Sequence, residues 1–340
     1  MSFLSRLPVL FWVASTLLPV AQAAEEVNLY SARQESLIKP LLDRFTAQTG
    51  IQVNLVTGSA DALLTRLQQE GQNSPADLFV TTDAGRLWRA QQAGVLQAVQ
   101  SPVLETAIPA QYREDKGHWF GLTMRARPIL YAVARVKPTE LSTYAALTDS
   151  QWKNRVCVRS SDNIYNQSHL AAMIATQGIA ATEAWARGLV ANFARPPQGG
   201  DRDQIKAVAA GQCDVALVNT YYYGTMLTEG DEAEQAAAKA TAIFWPDQAG
   251  RGVHVNISGA GLTAAAKHRD NAIRLLEFMV SDEAQSWYAK VNHEYPVKAG
   301  VAVSDTLKAL GEFKADALNL DLLGSHNPDA VRVADRAGWK

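Results

Sequence analysis

Between Val27 and Gly94 three short strand-like runs alternate with amphipathic helical runs, and this alternation restricts the fold more than any other feature of the chain. Val27 to Tyr30 reads as a strand. Leu37, Ile38, Leu41, Leu42 and Phe45 then recur at helical spacing, with Pro40 early enough to be tolerated near the first turn and Gly50 as the stop. Ile51, Val53 and Leu55 alternate as a second strand, and Leu63, Leu64 and Leu67 mark a helix after Asp61. Asp77-Leu78-Phe79-Val80 is the third strand, and Thr81-Thr82-Asp83-Ala84 leads into a helix that stops at Gly94. The order β-α-β-α-β predicts an α/β layer on a mostly parallel sheet.

The pattern recurs further on. Gly121 to Ala134 is extended and interrupted by Pro128, as expected for a strand leaving one lobe and entering another. Strands follow at Val156–Arg159 and Asp214–Asn219, with helices from about Gln167 and from about Asp203 to Ala210. Asp201 and Gln204 have the spacing of a capping box at that second helix. His254 to Ser258 reads as a second crossover, followed by helices over Ala272–Met279 and around Ala284–Val291. Two α/β lobes joined by two extended crossovers make a clamp. Single cores stop growing near 250–300 residues, which also favours two lobes for a chain of 340. In open α/β sheets ligands bind beyond the carboxyl ends of strands, so loops just after strands are where binding residues belong.

Residues 1–23 read as a secretory signal peptide: Arg6 is the only charge, an apolar run extends from Leu7 to Val20, and Ala21-Gln22-Ala23 is a small-x-small cleavage site. The run is shorter than the roughly 20 apolar residues a spanning helix needs, and no Cys near the cleavage site points to lipidation. An exported, periplasmic protein is expected. Removing 1–23 takes Arg6, so 31 Lys and Arg face 34 Asp and Glu, a net charge of −3. That balance argues against nucleic acid as a partner, which calls for a basic face. Cys157 and Cys213 sit in similar strand-like runs, and an oxidising compartment favours a disulfide between them over two buried thiols.

Tyrosines follow three of the strands: Tyr30, Tyr165, and Tyr221-Tyr222-Tyr223. Three consecutive tyrosines are costly as mere packing, because each buried hydroxyl needs a partner. Two chemistries fit. One is an aromatic wall that stacks on an organic anion or sugar phosphate, with Arg33 and Arg125 on its charge. The other is a hard metal ion. Oxygen donors suit hard cations, and a bound cation can deprotonate a phenol whose pKa is about 10. Four phenolates on Fe(III) leave a charge of −1, which Arg33, Arg125 or Arg127 can offset. The six histidines lack HxxxH or HExxH spacing, so a zinc enzyme is not indicated. His254, near the second crossover, reads as structural. Ser160 or Ser161 with His169 lacks the G-x-S-x-G elbow of a hydrolase. Gly259-Ala260-Gly261 is half of a dinucleotide fingerprint and reads as close packing.

The segments Asn28-Leu29-Tyr30-Ser31-Ala32-Arg33, Ala76 to Leu87, Gly121 to Arg127, Val156 to Asn166, Asn219 to Gly224 and His254 to Gly261, in this order and spacing, resemble the periplasmic ferric-iron-binding proteins of bacterial ABC transporters. The resemblance runs along nearly the whole chain after residue 23. It implies a type II periplasmic binding protein clamp that crosses near 125–128 and 251–254, with an N-terminal lobe of 24–127 and 252–302 and a C-terminal lobe of 128–251 and 303–340. It implies Fe(III) as a transported ligand, held by Tyr165, Tyr221 and Tyr222 from the second lobe and Tyr30 from the first. Some members carry a His just before that first-lobe Tyr; Leu29 stands there in this chain. Water or carbonate is a possible further ligand, an inner-membrane ABC permease the partner, and a monomer the working form. Tyr223 is expected to pack, pointing away in an extended loop. No enzymatic chemistry is implied.

Overall fold

The computed structural model describes residues 25–340, so the signal-peptide expectation lies outside the described residues. The chain builds two mixed sheets. The first holds β1 (Glu26–Ser31), β2 (Gln52–Thr57), β3 (Leu78–Thr82), β4 (Leu96–Gln97) and β5 (Phe120–Ala126), joined late in the chain by strands at Val255–Thr263 and Tyr295–Pro296. The second holds β6 (Ile129–Ala132), β7 (Val156–Cys157), β8 (Val215–Leu217) and β9 (Thr241–Phe244). With β10 for Val255–Thr263 and β11 for Tyr295–Pro296, the strand orders are β11-β5-β10-β3-β1-β2, with β4 on β10, and β7-β8-β6-β9.

β1 lies parallel to β2 and β3, as the alternation predicts. The rest of the first sheet departs from the expectation of a mostly parallel layer. β10 enters from the other lobe and runs antiparallel between β3 and β5, and β11 is antiparallel to β5. A strand returning through the crossover must start at the cleft, opposite in direction to strands that end there. Both crossovers lie side by side: Arg127, one residue past β5, donates its N–H to the His254 carbonyl, one residue before β10, at 3.0 Å.

The helices start and stop where local chemistry allows. α1 (Lys39–Thr49) carries Pro40 in its first turn, where its missing N–H has no intrahelical role, and ends at Gly50 in a left-handed conformation at φ 76°. Ser59 caps α2 (Ala60–Glu70) by accepting from the Ala62 amide. α3 (Ala84–Gln92) begins after Asp83, and α4 is the short Pro102–Ala107. α5 spans Ile164–Ala191 with a break at Gly178, whose φ of 83° interrupts the helix. α6 (Asp201–Ala209) starts one residue earlier than the capping pattern indicates. Asp203, not Gln204, accepts from the backbone amide, that of Gly200, at 2.7 Å, because the Asp201 carboxylate is engaged elsewhere. α7 is Thr220–Thr228. Among the described residues no helix is long and apolar enough to cross a membrane.

Cys157, on β7, and Cys213, just before β8, form a disulfide with Cα atoms 5.8 Å apart, and both are buried. The bridge joins the two strands that lead into α5 and α7.

Candidate metal centre

The predicted tyrosine loops are helix beginnings. Asn163 caps α5 by accepting from the Tyr165 amide at 3.0 Å, which puts Tyr165 in the first turn. Only Val218 and Asn219 separate β8 from α7, so Tyr221 and Tyr222 also occupy a first turn. Aromatic residues are indifferent helix formers, and packing against the lobe overrides that preference. The two helix starts face one another. The Tyr221 hydroxyl donates to that of Tyr165 at 3.1 Å, and the rings of Tyr221 and Tyr222 lie 4.2 Å apart, centre to centre. All three line a cleft of about 330 Å³ together with Arg33, Thr225 and Glu294.

Tyr223 packs, as expected, though not for the reason of an extended loop. Successive helical residues are turned by about 100°, which sends its ring into the core, where its hydroxyl donates to the carbonyls of Thr241 at 2.9 Å and Ala238 at 3.2 Å. Burial pushes its phenol up to about 12.

Tyr30 does not join the cluster, which corrects the expectation of a fourth tyrosine at the same ion. It lies within β1 and is 1 % exposed. Its hydroxyl donates to the Glu70 carboxylate on α2 at 3.0 Å, and the Arg66 guanidinium sits 4.7 Å from the centre of its ring. The alternation of side chains along a strand decides this: Tyr30 points under α2, and the chain reaches the cleft only beyond the strand end, at Ala32 to Gln34.

The cluster is surrounded by positive charge. The guanidinium of Arg125 lies 5.7 Å from the Tyr165 ring centre and that of Arg159 lies 5.5 Å from it. Arg125 donates to the Ser258 hydroxyl at 3.2 Å, while its Nε and Nη2 are buried without a partner. Arg33 pairs with the buried Glu294 carboxylate and donates to Thr123 at 3.1 Å. Burial pushes the Glu294 carboxyl up, but Arg33 and Arg125 together with hydrogen bonds from Arg33 and Thr123 hold it below the usual carboxylate range. Glu294, Thr123 and Ser258 were not legible in the sequence, since they meet from three distant segments.

Burial, and then the proximity of Tyr165 and Tyr222, raise the Tyr221 phenol well above its ordinary value. Burial and Tyr165 likewise push Tyr222 up to about 12. Without a cation these phenols stay protonated. Among the described residues no group of three or more His, Cys, Asp or Glu could hold a metal ion. His254 does not line the cleft. It stacks on His169 at 5.1 Å, and burial followed by Arg127 and Arg251 lowers its imidazole to about 3.

Residues 73–319 match the family described as bacterial extracellular solute-binding protein. The chain is 49 % identical over 316 residues to iron uptake protein A1 of Synechocystis, an alignment that covers 93 % of this chain and 88 % of that protein. Among solved structures, IdiA (FutA) of Trichodesmium in complex with iron and citrate superposes with a TM-score of 0.91 at 48 % identity, covering 93 % of this chain and all of that one. The ferric binding protein of Campylobacter jejuni superposes with a TM-score of 0.87 at 36 % identity, covering 92 % of this chain and all of that one.

Proposed function

We propose that this chain, which belongs to the family of bacterial extracellular solute-binding proteins, captures ferric iron in the interlobe cleft and delivers it to an ABC permease. The observation that carries the reading is the convergence of Tyr165, Tyr221 and Tyr222, with two phenol oxygens already 3.1 Å apart. Three phenolates neutralise the charge of Fe(III). They leave coordination positions open, since a hard cation takes about six oxygen ligands. The two unpartnered donors of Arg125 beside the tyrosines favour a small oxygen anion such as carbonate there over water. A larger hydroxy-acid anion also fits a cleft of this volume.

The second lobe supplies all three tyrosines and the first supplies Arg33, Thr123, Arg125 and Glu294. Iron held by the second lobe therefore draws the first lobe over it, and the closed population grows with loading. The protein works in the periplasm as a monomer, makes and breaks no covalent bond in its cargo, and hands iron to the permease on contact.

Iron binding displaces phenol protons, so affinity rises with pH and falls as pH is lowered. Both phenols are fully protonated in the free protein at neutral pH, and the raised pKa values of Tyr221 and Tyr222 carry that condition further up the pH scale without changing the slope below it. Each proton displaced changes affinity by about tenfold per pH unit. Chelator competition on the loaded protein, repeated from neutral towards acid, should show this steep loss while circular dichroism reports an intact fold. Affinity independent of pH over that range would contradict phenolate ligation.

A further inference from the structure

We propose that Arg127 is a positioning residue for the iron site: from the joint between the lobes, its guanidinium fixes the two tyrosine-bearing helix starts relative to each other. The inference rests on the tyrosinate reading above and adds to it a residue that touches no cargo.

Arg127 lies between β5 and β6 and is 1 % exposed. Its backbone is tied to both crossovers. Its N–H donates to the His254 carbonyl at 3.0 Å, and its own carbonyl accepts from the Tyr144 hydroxyl at 2.7 Å. That hydroxyl accepts in turn from the His254 amide at 3.1 Å. The side chain then reaches into the second lobe. Nη2 donates to the Asn166 side-chain oxygen at 2.7 Å, and Nη1 donates to that of Asn219 at 2.9 Å and to Asp201 at 3.2 Å. Asn166 follows Tyr165 directly. Asn219 stands two residues before Tyr221. One planar group therefore holds both helix starts, and only a guanidinium offers donors in a fixed fork for such a task.

Two further observations separate positioning from plain stabilisation. First, Asn219 occupies the N-cap of α7, yet its side chain makes no capping bond and is given to Arg127 instead. An N-cap Asn ordinarily stabilises its helix through that bond, so local stability is given up for this contact. Second, the Arg127–Asp201 pair is almost wholly buried, with side chains 2 % and 0 % exposed. Such pairs add little net stability over well-packed apolar residues, and their best use is to specify geometry. Asp201 extends that geometry by accepting from the Asn219 amide at 2.7 Å and from Arg159, the guanidinium beside the Tyr165 ring, at 3.0 Å.

The test uses the full exported protein and two variants. Asn219→Ala cuts one arm of the fork and removes no capping bond. Arg127→Lys keeps the charge but offers a point donor that cannot span both asparagines. For each, three quantities are read: the melting temperature without iron, the affinity for ferric ion by chelator competition, and the visible absorption of the loaded protein. Loss of a group bonded directly to a metal ligand costs about 10- to 100-fold in affinity; Arg127 acts one residue further out, through Asn166 and Asn219, so the expected loss is at the lower end, about 10-fold. Both variants should show a loss of that size with a displaced absorption band, and Asn219→Ala, which loses one buried hydrogen bond but leaves Arg127 paired with Asp201, should stay folded with a lowered melting temperature. Should Arg127→Lys fail to fold, Asn219→Ala alone carries the test. Wild-type affinity and an unchanged band in the folded variants would overturn the positioning role while leaving tyrosinate ligation standing. A wild-type protein that binds no ferric ion would overturn both.

Discussion

Tyr222→Phe is expected to lower iron affinity by more than the roughly 100-fold that an outer-shell loss can cost, with little change in stability. The substitution removes an anionic donor and keeps the ring, whose centre stays about where it packs against Tyr221. Tyr165→Phe and Tyr221→Phe should behave alike, because under the proposed function the three hydroxyls serve one ion. The neighbouring Tyr223→Phe supplies the contrast. Its hydroxyl is bonded to two backbone carbonyls in the core, so its loss costs about 1 kcal/mol of stability and leaves affinity nearly unchanged. Tyr30→Phe belongs with Tyr223→Phe: it breaks the hydrogen bond to Glu70 beneath α2 and should lower stability, not affinity. Chelator competition and denaturant unfolding on the same preparations separate the two classes. A large affinity loss in Tyr30→Phe would return that residue to the iron site, and equal losses for Tyr222→Phe and Tyr223→Phe would show that the wrong pair of the triplet had been chosen.

Replacing Cys157 and Cys213 together by Ala should destabilise the fold by about 2–4 kcal/mol, the usual range for a native bridge. The bridge closes a loop across a sequence separation of 56 residues, long enough for the loop-closure effect on the unfolded chain to be substantial. Both cysteines are buried at the strands that lead into α5 and α7, so the iron-free protein should lose stability throughout the second lobe. Urea unfolding of the oxidised wild type and the double variant measures this. Equal midpoints, or two free thiols in the unreduced wild type by mass spectrometry, would contradict it.

The two-lobe architecture was readable because hydrophobic periodicity switches between 2 and 3.6 with few ambiguous stretches, and because the extended runs around Pro128 and His254 lack the spacing of a helix. The convergence of Tyr165, Tyr221 and Tyr222 on the cleft was readable for a related reason: they follow strand ends, and in α/β lobes strand ends open on the cleft. The same rule misplaced Tyr30. A residue still inside a strand faces one side of the sheet or the other, and here α2 covers that side. The start of α6 shows a different limit. Asp201 has the right spacing for a cap, but its carboxylate is bound by Arg127, Arg159 and the Asn219 amide, partners that no local pattern reveals. Glu294 is the extreme case. It reaches the cleft from a segment 261 residues beyond Arg33, so only the folded chain pairs them.

Tyrosinate ligation is read most directly from one visible absorption spectrum taken as ferric citrate is titrated into the iron-free protein. Phenolate oxygens bound to Fe(III) transfer charge to the metal in the visible range. A broad band should therefore grow to saturation at one iron per chain, and disappear when Tyr165, Tyr221 and Tyr222 are all changed to Phe. A colourless complex with one ferric ion per chain would contradict the account, because it would mean that the ion is held by something other than these tyrosines.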